Sequence, residues 1–83
     1  MFRIDKQKAV EVLGSKGITA EWLSEQMSIP ESDMIHMLLG NLELDMEDTQ
    51  KLMSLIGYFD LARICADGRV YEIAELIANK NLA

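Results

Sequence analysis

The sequence holds one cysteine, one histidine and one proline in 83 residues, and these scarcities remove whole classes of chemistry. Cys65 alone can form no internal disulfide, and between Ile64 and Ala66 it reads as a small buried hydrophobe rather than a reactive thiol. His36 has no second histidine and no nearby cysteine to complete a zinc set or a Cys–His nucleophile. A Gly-rich phosphate loop is also absent. The acidic run Asp45, Glu47 and Asp48 stands where a helix begins, and capping accounts for it. Enzymatic activity is therefore not expected, and neither a metal nor a cofactor is implied.

No stretch approaches the roughly 20 continuous apolar residues that cross a bilayer. Residues 1–6 carry no apolar run long enough for a secretory signal, so a soluble, cytoplasmic chain is the expectation. Linkers rich in Pro, Ser or Gly, internal repeats and low-complexity tracts are likewise missing, which leaves residues 1–83 as one domain. Apolar residues make up 49% of the chain, enough for a small single core whose stability is marginal at this length.

Charge is distributed unevenly. Residues 19–57 contain Glu21, Glu25, Glu31, Asp33, Glu43, Asp45, Glu47 and Asp48 against one base, Lys51. Residues 1–18, by contrast, hold Arg3, Lys6, Lys8 and Lys16 against Asp5 and Glu11. The acidity thus sits in the middle of the chain, while the first helix is basic on its outer side.

Apolar spacing predicts an all-α protein of five or six short helices. Asp5 can cap a first helix running to about Lys16, with Ala9, Val12 and Leu13 on one face and Gly17 ending it. Thr19 can cap a second helix whose Leu23 and Met27 point inward, with Ser24 small between helices. Ser28 and Ile29 make a tight turn, and Pro30 suits the start of a third helix. Met34, Met37 and Leu38 then face the core, and Gly40 stops the helix. Asp45 and Asp48 open a fourth helix with Leu52, Met53 and Ile56 inward, ending at Gly57. In the C-terminal helical segment 58–83, residues 58–66 read as a short helix stopped at Asp67 and Gly68. Val70, Ile73, Ala74 and Ile77 form an apolar stripe at helical spacing, which suits either domain core or the seam of a homodimer through residues 70–77.

The Gly17-Ile18-Thr19 entry, Leu23 with Met27, the turn residue Ile29, the Met34/Met37 pair and Gly40 together resemble the lambda-repressor-like, Xre/Cro-type helix-turn-helix family. The resemblance covers about residues 19–57 and rests mostly on packing positions. It implies a compact helix-turn-helix domain whose third helix reads the major groove. At the contact positions this chain departs from the family. Ala20 stands where the family usually has a phosphate-binding Gln. Glu31, Ser32 and Asp33 replace the usual Gln or Arg followed by Ser or Thr. Ile35 and Leu39 occupy positions that are commonly polar.

Acids in a first helical turn gain about 0.3–1 kcal/mol from the helix dipole, which is sufficient reason for Glu31 and Asp33. The dipole gives no reason for Ile35 and Leu39 on the outer face, where each exposed aliphatic forgoes about 1.5–3 kcal/mol relative to burial. Trp22 also falls on an outward position of the second helix, and Trp is enriched at interface hot spots. The reading favoured is a small gene-regulatory protein that works by protein contact, an antirepressor or modulator. It would bind a basic DNA-binding regulator through Trp22, Glu31, Asp33, Ile35, His36 and Leu39. The alternative is a dimeric DNA-binding repressor of Xre/Cro type, using Thr19, Ser32, His36 and Lys51, with Lys6 and Lys8 as further phosphate contacts.

Overall fold

The computed structural model describes residues 2–66. Five helices follow in order: α1 (Lys6–Ser15), α2 (Ala20–Met27), α3 (Glu31–Leu38), α4 (Met46–Ile56) and α5 (Tyr58–Ile64). Strand pairing among the described residues is limited to two isolated antiparallel bridges, Phe2 with Leu44 and Ile4 with Cys65, so the class is all-α. No helix among these residues is long and apolar enough to cross a membrane. The stripe at residues 70–77, expected to be core or dimer seam, lies outside the described residues.

Local chemistry sets most helix ends. The Asp5 carboxylate accepts from the Lys8 amide at 3.0 Å, the Thr19 hydroxyl from the Trp22 amide at 3.1 Å, and the Asp45 carboxylate from the Asp48 amide at 2.8 Å. Each satisfies a donor that the first turn would otherwise leave unpaired. Pro30 occupies the N-cap of α3 rather than its first turn, with no side-chain cap bond. Its carbonyl accepts from the Met34 amide at 3.0 Å.

Gly40 follows the Leu39 C-cap of α3, and its φ of +81° is left-handed. There Asn41 N–H donates to the His36 carbonyl at 2.9 Å and Gly40 N–H to that of Met37 at 3.1 Å, closing the carbonyls left open at the helix end. Ser28, between α2 and α3, takes φ +56° without being glycine, a conformation costing an L-residue roughly 1–2 kcal/mol. That turn permits the extensive packing of α2 on α3.

The buried side chains form one cluster. α1 contributes Ala9, Val12 and Leu13, α2 Leu23 and Met27, α3 Met34 and Met37, α4 Leu52, and α5 Leu61 and Ile64. Thr49 is also fully buried and turns its hydroxyl back to the Asp45 carbonyl at 2.6 Å. Met53 and Ile56, expected inward on α4, are half-buried against the edge of this cluster. Cys65 is buried, as its apolar neighbours suggest.

The N-terminal segment adds a structural device that helical periodicity does not register. Phe2 N–H donates to the Leu44 carbonyl at 3.0 Å and Leu44 N–H donates back at 2.8 Å. Asp5 N–H donates to the Ile64 carbonyl at 2.8 Å, and Ala66 N–H to that of Arg3 at 2.9 Å. Residues 2–5 thus lie between the loop preceding α4 and the end of α5, with Phe2, Ile4 and Leu44 buried. The same pairing corrects the last helix: α5 stops at Ile64 instead of running to residue 66, because Cys65 turns extended to bridge Ile4.

Candidate functional site

α3 divides its apolar residues between two sides. Met34 and Met37 are buried, and Leu38 is half-buried against the core. Ile35 and Leu39, one turn apart, remain 41% and 39% exposed. Leu39 is the C-cap and keeps right-handed helical backbone angles, so the helical surface extends through it. Glu31, Ser32, Asp33 and His36 are all exposed on the same helix. The outer side of α3 therefore combines two aliphatics with two carboxylates, one hydroxyl and one imidazole. Trp22 on α2 is 41% exposed. Its amide engages the Thr19 cap while its indole is left partly in solvent.

Of the residues expected to touch DNA, Thr19 uses its hydroxyl to cap α2. Lys51 lies 3.6 Å from Glu47 across one helical turn. Three further bases are also engaged. Arg3 reaches Glu43 at 2.7 Å and donates to the Gly40 carbonyl at 3.0 Å. Lys16 donates to the buried Asp60, whose other oxygen is 3.5 Å from Arg63. Lys6 and Lys8 on α1 form no ion pair among the described residues, whereas Lys16, the C-cap of α1, is paired. Its Nζ reaches across to α5 because Asp60 is buried there and needs a counter-charge. No group of three or more His, Cys, Asp or Glu among the described residues could hold a metal ion.

The acidic start of α4 also shows its crowding in a titration. Partial burial raises the Asp48 carboxyl above its usual range, and the neighbouring Asp45 raises it further. Lys51 pulls the other way, and Glu47 adds a smaller upward push. The causes are local to the helix start, consistent with capping rather than with a paired acid–base site.

Several exposed apolar side chains escape the helical periodicity used to read the sequence. Val10, Leu42, Met46 and Phe59 are exposed, Phe59 by 81%. Phe59 meets Tyr58 edge-on, with ring centroids 5.8 Å apart. Val10 sits one position off the buried Ala9/Val12/Leu13 face, which was the available signal. It forms the rim of an apolar groove of about 280 Å³ between α1 and the end of α3, lined by Lys6, Ala9, Leu13, Gly14, Ile18, Leu38 and Leu39 as well. Leu39 thus turns one side toward α1, whereas Ile35 takes no part in the groove.

Comparison of the chain with protein-family models, with curated proteins and with solved structures returned no match.

Proposed function

We propose that this chain is a non-enzymatic gene-regulatory protein of lambda-repressor-like helix-turn-helix fold that acts by binding another protein. In this reading it is a modulator whose third helix captures a basic DNA-binding regulator. The observation carrying the proposal is the exposure of Ile35 and Leu39 beside Glu31 and Asp33 on α3, while Met34 and Met37 of that helix supply its buried side. Exposed aliphatics rimmed by acids suit a basic surface with apolar contacts at its centre. The carboxylates speed encounter and select the sign of the partner, and the aliphatics slow dissociation. Such a helix would occupy the partner's DNA-binding face and keep DNA away from it.

Support also comes from the bases. Four of the six in residues 2–66 are engaged by carboxylates, leaving few to displace the counterions of a phosphate backbone. Against this stands the alternative of a dimeric repressor, in which Ser32 and His36 would meet base edges and Lys6 and Lys8 the phosphates.

The test uses the full chain as bait in nuclease-treated lysate of its host, with an untreated parallel sample. The expected catch is one DNA-binding protein at stoichiometric level, lost on Ile35→Asp while the helical circular dichroism is kept. Ile35 is the better position for this substitution because Leu39 also lines the groove against α1. Recovery of specific DNA fragments with no protein partner would overturn the modulator reading and favour the repressor.

A further inference from the structure

We propose that the groove between α1 and the end of α3 binds a small aliphatic carboxylate, its hydrocarbon chain along the groove and its carboxylate on Lys6. The groove is built from the helical repeat of α1. Lys6, Val10 and Gly14, four residues apart, fall along one side of that helix and make one wall. Leu38 and Leu39 make the other, and the buried Ala9 and Leu13 form the floor. Val10 is 67% exposed and Leu39 39%, so two aliphatics stand partly in water at the mouth. A chain laid between them would remove both from solvent.

Charge decides what the chain must carry. Lys6 is the one charged residue of the lining and, as the first residue of α1, stands at one end of the α1 wall. Arg3, Lys16, Lys51 and Arg63 are engaged by carboxylates, whereas Lys6 forms no ion pair among the described residues. The acids of its own helix leave it uncompensated. Asp5 is committed to the Lys8 amide as the N-cap, and Glu11 lies about 140° round the helix from Lys6. An apolar groove with a single unpaired cation at one end is the complement of an anionic head on a hydrocarbon tail.

Size limits the ligand. The volume of about 280 Å³ is at the lower end of small-molecule pockets, which run from about 300 to 1,000 Å³. At roughly 30 Å³ per heavy atom, the share a water molecule takes in its liquid, the groove holds about eight to ten carbons. The α1 wall from Lys6 to Gly14 runs about 12 Å, long enough for such a chain to lie extended. A groove this small offers far less than the roughly 800 Å² that each partner buries in a stable protein interface, which favours a small molecule over a second copy of this chain. The proposal is independent of the function proposed above, although both involve Leu39.

The test is titration of the full chain with sodium octanoate, followed by NMR, with 1-octanol as the uncharged control. Saturable shifts are expected in α1 and at Leu38 and Leu39, and binding should tighten by about two- to fourfold per methylene from hexanoate to octanoate. Lys6→Glu should weaken octanoate by about fivefold or more and leave 1-octanol within about twofold. A Cβ at Gly14 would meet nothing within 4 Å, so Gly14→Leu can fill the groove while the helical circular dichroism is kept. It should weaken both ligands by about tenfold or more. Octanoate binding indifferent to Lys6→Glu would overturn the proposal, because the carboxylate would then have no partner there. Binding unchanged by Gly14→Leu would overturn it by placing the ligand elsewhere. Shifts of the same amides on dilution of the protein alone would overturn it in favour of a second copy, and the absence of saturable binding would overturn it outright.

Discussion

At the scale of single residues, Gly40 is constrained twice. Its φ of +81° disfavours a side chain, and a Cβ there would come within 2.8 Å of the Ile4 carbonyl oxygen. Gly40→Ala should lower unfolding free energy by about 1–3 kcal/mol, measured by urea titration. A change within error would mean that the N-terminal segment can shift away without loss. Asp48 gives a prediction with a sign. Its raised folded pKa means the native state holds a proton more tightly than the unfolded chain. The stabilisation from that proton is complete below the ordinary aspartate value of 3.8 and is lost as pH rises through the folded value. Asp48→Asn should therefore gain on the parent protein as pH rises from about 3 to about 7, followed by urea midpoints at each pH. A constant difference across that range would count against the crowding described at the start of α4.

At the scale of elements, the caps were the most legible part of the sequence, because Asp5, Thr19 and Asp45 each act on an amide three residues away. The buried residues of the first three helices could be read from their spacing for the same local reason. What escaped depended on distant partners. Phe2 and Ile4 precede any helical period and are buried by pairing with residues 44 and 65. α5 ends early because of that same pairing, and the burial of Asp60 depends on Lys16, 44 residues away. The candidate face was legible as an excess of outward aliphatics, but the sharing of Leu39 with the groove required the position of α1. Lys16→Met tests the α1–α5 link. It removes the closer cation from a carboxylate that is 8% exposed and leaves Arg63 at 3.5 Å. Stability should fall by about 1–3 kcal/mol, and Asp60→Asn in the same background should recover part of it. No recovery would mean that the lysine acts through its aliphatic stem rather than its charge.

For the whole molecule, charge and connectivity matter more than any single contact. The chain carries a formal net charge of −6, and most of the described cations are already neutralised by neighbours. It should pass unretained through heparin at low salt. Retention that weakens steeply as salt rises would show phosphate binding and sink the modulator reading. Connectivity has a consequence in time. α2 packs on α3 and α4 on α5, neighbours in sequence, but α1 packs on α5 and residues 2–5 must find partners at residues 44 and 64–66. Loop closure over such separations slows a search otherwise dominated by local contacts. During synthesis, residues 2–5 would have to wait until the end of α5 emerges before Asp5 and Arg3 find their partners. Folding of residues 2–66 is thus timed by the pairing of residues 2–5, and the last amides to gain protection in pulsed hydrogen exchange should be those of Phe2, Asp5, Leu44 and Ala66.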